Sequence, residues 1–167
     1  MTVPLDVVVV GGGQAGLAIG YLLKQHGRRF TILEASDAPA AAWRARWDSL
    51  RLFTPVCYDS LPGRAFPGDA DSYPGRDDVV AYLTDYVRAF ELPVEVNSAV
   101  QAVRRADGGY RVDLDDRTYA AEQVVIATGP FQVPRVPPIA RPLDPVLSSS
   151  TAPHTAGPSR FRPARCW

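Results

Sequence analysis

Apolar residues come in two rhythms along the chain, and the first stretch uses both. Leu5 to Val10 is apolar apart from Asp6 and predicts a strand, which stops at Gly11-Gly12-Gly13. Leu17, Ala18, Tyr21 and Leu22 then recur at helical spacing and predict a helix over Gln14 to Gln25, with Gly27 placed to cap it and His26 a favourable cation in its last turn. A second apolar run, Phe30 to Leu33, predicts a strand that delivers Glu34 to its carboxyl end. From Ala35 to Pro74 the period dissolves into Pro, Gly, Arg and aromatic residues, although a segment as aromatic as AWRARWDSLRLFTP is poorly suited to disorder.

Helical spacing returns with Val79, Val80, Leu83, Tyr86, Val87 and Phe90, which form one apolar stripe and predict a helix from about Asp77 to Phe90. Short runs at Val94 to Val100, Tyr110 to Leu114 and Thr118 to Ala120 are separated by Asp107-Gly108-Gly109 and Asp115-Asp116, and predict a small antiparallel meander. Gln123 to Ile126 predicts a buried strand running into Ala127-Thr128-Gly129. The expected core is a parallel sheet of Val7 to Val10, Phe30 to Leu33 and Gln123 to Ile126, in an α/β fold with the meander attached.

The first unit carries the clearest chemistry. Gly11, Gly13 and Gly16 form GxGxxG between a strand and a helix, and Glu34 follows Gly16 by eighteen positions, near the spacing of about twenty in a dinucleotide-binding fingerprint. Gly11 permits the sharp turn, Gly13 lets backbone N–H groups approach a pyrophosphate, and Gly16 lets helix and sheet pack closely. The helix start, Gln14 and Ala15, offers unpaired N–H groups and a partial positive charge to the phosphates. Glu34, with Ala35 beside it, is the candidate for the adenosine ribose hydroxyls. The loop arginines and tryptophans are either ligand-facing or a packed surface with cation–π contacts.

Composition mainly excludes. Eighteen basic and eighteen acidic residues cancel, so no field points to nucleic acid. The apolar runs are too short to span a bilayer and no leader pattern opens the chain, so the expected setting is the cytoplasm. Cys57 and Cys166 make neither a disulfide framework nor a CxxC pair. No Ser-His-Asp set or His-rich metal cluster stands out, and Asp69, Asp71, Asp77 and Asp78 read as solvated loop and helix-start carboxylates.

With GxGxxG, WDSLRLFTP, SYPGRDDVVAYL and VVIATGPFQVPRVP in this order, the chain resembles the N-terminal part of the flavin-containing monooxygenase-like flavoproteins, relatives of Baeyer–Villiger and YUCCA-type enzymes. The resemblance implies a Rossmann-like FAD/NAD(P)-binding fold and an oxidoreductase acting on a small-molecule substrate. In that chemistry NADPH reduces FAD, and a flavin C4a-peroxide oxygenates the substrate. It implies flavin-side contacts from Trp43, Arg44, Trp47, Leu52 and Thr54, and a contact from Thr128 and Gly129. One departure stands out: the family's Gly-Gly-x-Trp is here Ala40-Ala41-Ala42-Trp43. The alternatives are an FAD-binding module without turnover and, more weakly, a nicotinamide-dependent dehydrogenase.

The resemblance also implies a division at residue 145. Residues 1–145 read as an FAD-binding domain without the NADPH-binding insertion, whose second fingerprint the chain lacks. Residues 146–167 read as a disordered or out-of-frame tail. Shifted by one base, Ser149 to Pro158 can encode Gln-Leu-His-Ser-Ser-x-Tyr-Arg-Arg-Pro, and Pro163 to Trp167 can encode Pro-Gly-Pro-Val-Leu, the family's next two segments. The expectation is a reading frame truncated by a frameshift, in a chain that does not turn over NADPH.

Overall fold

Strand β1 (Leu5–Val10), helix α1 (Gln14–Gln25) and strand β2 (Phe30–Leu33) follow the predicted course residue for residue. The structure, a computed structural model, describes residues 5–129; the end of the last family motif, from residue 130 on, and the expected out-of-frame tail lie outside them. A single helical turn α2 (Ala41–Arg44), a 3-10 turn at Val56–Tyr58 and helix α3 (Arg76–Ala89) come next. The remaining strands are β3 (Val94–Glu95), β4 (Ala102–Ala106), β5 (Gly109–Asp113) and β6 (Thr118–Ile126).

These make one six-stranded sheet in the order β3-β2-β1-β6-β5-β4. Pairings from β3 to β6 are parallel, and β6-β5-β4 is antiparallel. Three expectations are corrected here. Val94–Glu95 is not the first meander strand but a parallel partner of β2, with Ile32 opposite Val94. The first meander strand is Ala102–Ala106, largely exposed and without an apolar period. Thr118 to Ala120 and Gln123 to Ile126 are two halves of one strand, joined at Ala121, which is paired with Leu5 on one side and Tyr110 on the other.

The valine run is apolar throughout because both faces of β1 are covered, and side chains alternate between them. Val7 and Val9 join Leu17, Ile32, Val79, Leu83 and Tyr86 on the helical side. Val8 and Val10 join Leu33, Val112, Leu114 and Ala121 on the other, where the meander supplies the cover. Burial of each such valine, leucine or isoleucine side chain stabilises the fold by about 1.5–3 kcal/mol. A polar clamp holds the meander down: Glu95 accepts hydrogen bonds from Thr31 at 2.7 Å and Tyr119 at 2.5 Å, and Arg117 donates to Ser98 at 2.7 Å. Burial alone would raise the Glu95 pKa, but the Tyr119, Thr31 and Arg117 hydrogen bonds outweigh it and lower it.

Candidate functional site

Two of the three fingerprint glycines are demanded by the fold. Gly11 donates to the Leu33 carbonyl at 2.8 Å, and its φ of +112° and a Cβ position 2.5 Å from the Ala127 oxygen exclude a side chain. A Cβ on Gly16 would lie 1.9 Å from the Gly11 oxygen, so helix and turn meet only because it is glycine. Gly13 is different. Its backbone is extended, at φ −83° and ψ −174°, and a Cβ there would meet nothing within 4 Å. It is also the N-cap of α1, which has no side-chain cap and no acid in its first turn, so the free N–H groups of that turn have no partner of that kind.

Glu34 stands across the turn. Its Oε2 accepts the Gly12 N–H at 2.8 Å and its Oε1 the Ser36 N–H at 3.0 Å. The Gly12 carbonyl in turn accepts the Ala40 N–H at 3.2 Å, tying the following loop to the turn. Ala40 is buried in a left-handed conformation at φ +61°, one that favours glycine.

These elements enclose a cleft of about 690 Å³, within the range of small-molecule and cofactor sites. Gly11, Gly13, Gln14, Ala15, Glu34, Ala35, Trp43, Thr128 and Gly129 all line it. Gly16 sits beneath as packing. Sequence reading missed Ser36, Arg46, Ser98, Ala99 and Val100, which also line it. Ser98 is brought there by its N–H bond to the Glu34 carbonyl at 2.8 Å, across a separation no local pattern announces. Glu34 and Arg46 are the only ionisable side chains among the lining residues. Arg44 is exposed and, like Trp47, lines neither this cleft nor the next.

A second cleft of about 370 Å³ shares Gln14 and Trp43 with the first and contains Leu52 and Thr54. Its frame is the excursion after α2, which is ordered by its own backbone: Leu52 N–H donates to Pro74, Val56 to Ser72 and Cys57 to Ala70. Helix α3 holds that excursion through two tyrosines. Tyr82 accepts the Leu61 N–H and donates to the Arg64 carbonyl, both at 2.7 Å, and Tyr86 donates to the Pro62 carbonyl at 2.5 Å. Burial pushes both phenols up, Tyr86 to about 12. Asp59 is part of this cleft's wall and takes the Thr54 hydroxyl on Oδ1 at 2.5 Å.

The family of pyridine nucleotide-disulphide oxidoreductases matches residues 8–157. The chain belongs to that family. Among pyridine nucleotide-disulphide oxidoreductases and their kin it is 46% identical to an uncharacterized CzcO-like oxidoreductase of Geobacillus kaustophilus, over 83% of this chain and 40% of that protein. The indole-3-pyruvate monooxygenase YUCCA1 of Oryza sativa is 38% identical, over 78% of this chain and 33% of its own length. A flavin-containing monooxygenase from Stenotrophomonas maltophilia superposes with a TM-score of 0.77 at 39% identity, covering 81% of this chain and 42% of that one. The chain thus spans about 40% of the length of the first curated relatives it matches. Within the family it is similar to the flavin monooxygenases. Among the described residues Cys57 is an exposed, free cysteine, so the dithiol chemistry in the family's description has no cysteine pair there. No described helix is long and apolar enough to cross a membrane, and no described cluster of His, Cys, Asp and Glu could hold a metal ion.

Proposed function

We propose that this chain is the FAD-binding part of a monooxygenase-type oxidoreductase that uses FAD and NADPH. The observation that carries the reading is Gly13: the fold gives it ordinary backbone angles and open space, so its missing side chain is explained by a ligand that must come close. The residues present fit a dinucleotide. The uncapped start of α1, with Gln14 and Ala15, would face the diphosphate, and Arg46 would offset its charge. Glu34, already oriented by Gly12 and Ser36, would take the adenosine ribose on its remaining lone pairs. Ser98, Ala99 and Val100 would border the adenine side, with Thr128 and Gly129 at the far edge. Trp43, Leu52 and Thr54 would wall the flavin side in the second cleft.

When bound, FAD supplies two-electron transfer and oxygen activation. The chain's residues bind it, orient it and exclude water. A small-molecule substrate and a cytoplasmic setting complete the proposal.

The test is titration of the purified chain with FAD, followed by flavin absorbance and fluorescence. A saturable change with a bound-flavin spectrum is expected, and no change at saturating FAD would overturn the reading. Arg46→Gln should weaken FAD binding about tenfold, the equivalent of about 1.4 kcal/mol, whereas Arg44→Gln should leave it within about twofold. The chain's single GxGxxG favours a second reading, a module that binds FAD without turnover. Anaerobic NADPH separates the two, since bleaching of the bound flavin belongs to the enzyme and an unbleached flavin to the module.

A further inference from the structure

Asp59 is the exception to an otherwise satisfied set of buried polar side chains. Its Oδ1 accepts the Thr54 hydroxyl, while Oδ2 is shut off from solvent and has no hydrogen-bond partner. No other buried side-chain nitrogen or oxygen among the described residues is left in that state. A buried acceptor without a donor is costly, and natural folds keep few of them, typically where something else completes the bond. The surroundings say what kind of partner is missing. The second cleft is walled mostly by apolar and aromatic residues, Trp43, Leu52, Leu61, Phe66, Val79 and Tyr82 among them, and suits a planar ring. Asp59 is the only carboxylate in that wall, and it does not line the cleft of Glu34 and Arg46.

We propose that Asp59 is a positioning residue for the flavin ring: keeping its bond to Thr54, the carboxylate turns slightly and accepts the imide N–H of the isoalloxazine on Oδ2. The proposal rests on the FAD reading above and adds to it a specific acceptor. An isoalloxazine carries one such N–H, between two carbonyl groups, so a single carboxylate oxygen fixes which edge of the ring enters the cleft. The chain is held ready for this bond at the expense of its own stability before the ligand arrives, as binding sites commonly are.

Asp59→Asn tests it, because asparagine keeps an oxygen for Thr54 and replaces the free acceptor by a donor. Melting temperatures would be measured without ligand, with FAD and with ADP, which lacks the ring, and FAD affinity by fluorescence. The expected pattern is a ligand-free melting temperature equal to or above that of the wild type, a FAD-induced rise that is largely lost, an FAD dissociation constant about tenfold higher, and an unchanged response to ADP. Asp59→Ser should behave likewise towards FAD. Equal FAD affinity in wild type and Asp59→Asn would overturn the Asp59 assignment alone. A lowered ligand-free melting temperature with parallel losses for FAD and ADP would also overturn it, in favour of a purely structural role. Wild-type chain that responds to neither ligand would overturn the FAD reading and this inference with it.

Discussion

Helices α1 and α3 start from nearly the same backbone, Gly13 at φ −83° and ψ −174° and Gly75 at φ −83° and ψ 174°, yet their first turns are finished in opposite ways. In α3 the acids are internal: Asp77 and Asp78 lie in the first turn, Asp78 accepts the Gly75 N–H at 2.8 Å, and Arg76 is paired with Asp48 and Asp77. In α1 no acid enters the first turn, and Glu34 instead spends its oxygens just outside it, on Gly12 and Ser36. A helix start that only supports the fold is closed by its own sequence. The one that borders the cleft is left open, and the stability given up there is the space in which an anion can be bound.

Three substitutions would break or sharpen this contrast. The largest effect is expected from Gly13→Asp, whose side chain has room in the structure and would cap α1 much as acids close α3. Affinity for FAD should fall at least about a hundredfold through blocking and charge repulsion, while the melting temperature rises by about 3 °C; undiminished FAD binding in this variant would remove the contrast altogether. Asp78→Ala does the converse. It should lower the melting temperature by about 3 °C and leave the FAD titration where the wild type has it. The smallest effect belongs to Ala40→Gly, which relieves a left-handed alanine buried just before α2. A gain of about 1 °C is expected in a thermal melt, because the relief of the Cβ clash is partly offset by the greater freedom of glycine in the unfolded chain.

What the sequence made legible divides along the same line. The boundaries of β1, α1 and β2 were readable because each is set by its neighbours: a valine run, a glycine turn, a helical stripe, a second apolar run. Glu34 and the glycines were readable for the same reason. Strand β3 has no signal of its own, because its two residues become a strand only through β2, whose Ile32 and Leu33 pair with Val94 and Glu95 from a distant part of the chain. Strand β6 reads as two runs because its halves pair with different partners, so no single period runs through it. Two of the cleft residues without a sequence signal share this property: Ser98 is placed by a bond to Glu34, and Arg46 by its carbonyl's bond to Arg76. Asp59 is placed locally, by Thr54 and a 3-10 turn between them, but in a stretch with no apolar period to mark it. Chemistry carried by a periodic element is legible; chemistry assembled by distant pairing or by irregular turns is not.

The bond between Glu34 and Gly12 has a consequence for how such a chain could change its ligand. Redesigning a ribose-recognising acid, the part proposed above for Glu34, is an obvious engineering route towards a nucleotide with a phosphate on that ribose, since the negative charge must go. In this chain the Glu34 carboxylate also holds the N–H of the residue at the middle of the glycine turn. A replacement without an acceptor oxygen, such as arginine or lysine, would therefore unpin the turn at the moment it altered the preference, whereas glutamine could keep one of the two bonds, to Gly12 or to Ser36, and lose the other. On the reading proposed for Glu34, selectivity and scaffold are therefore tied to one side chain, and a change in the first puts the second at risk.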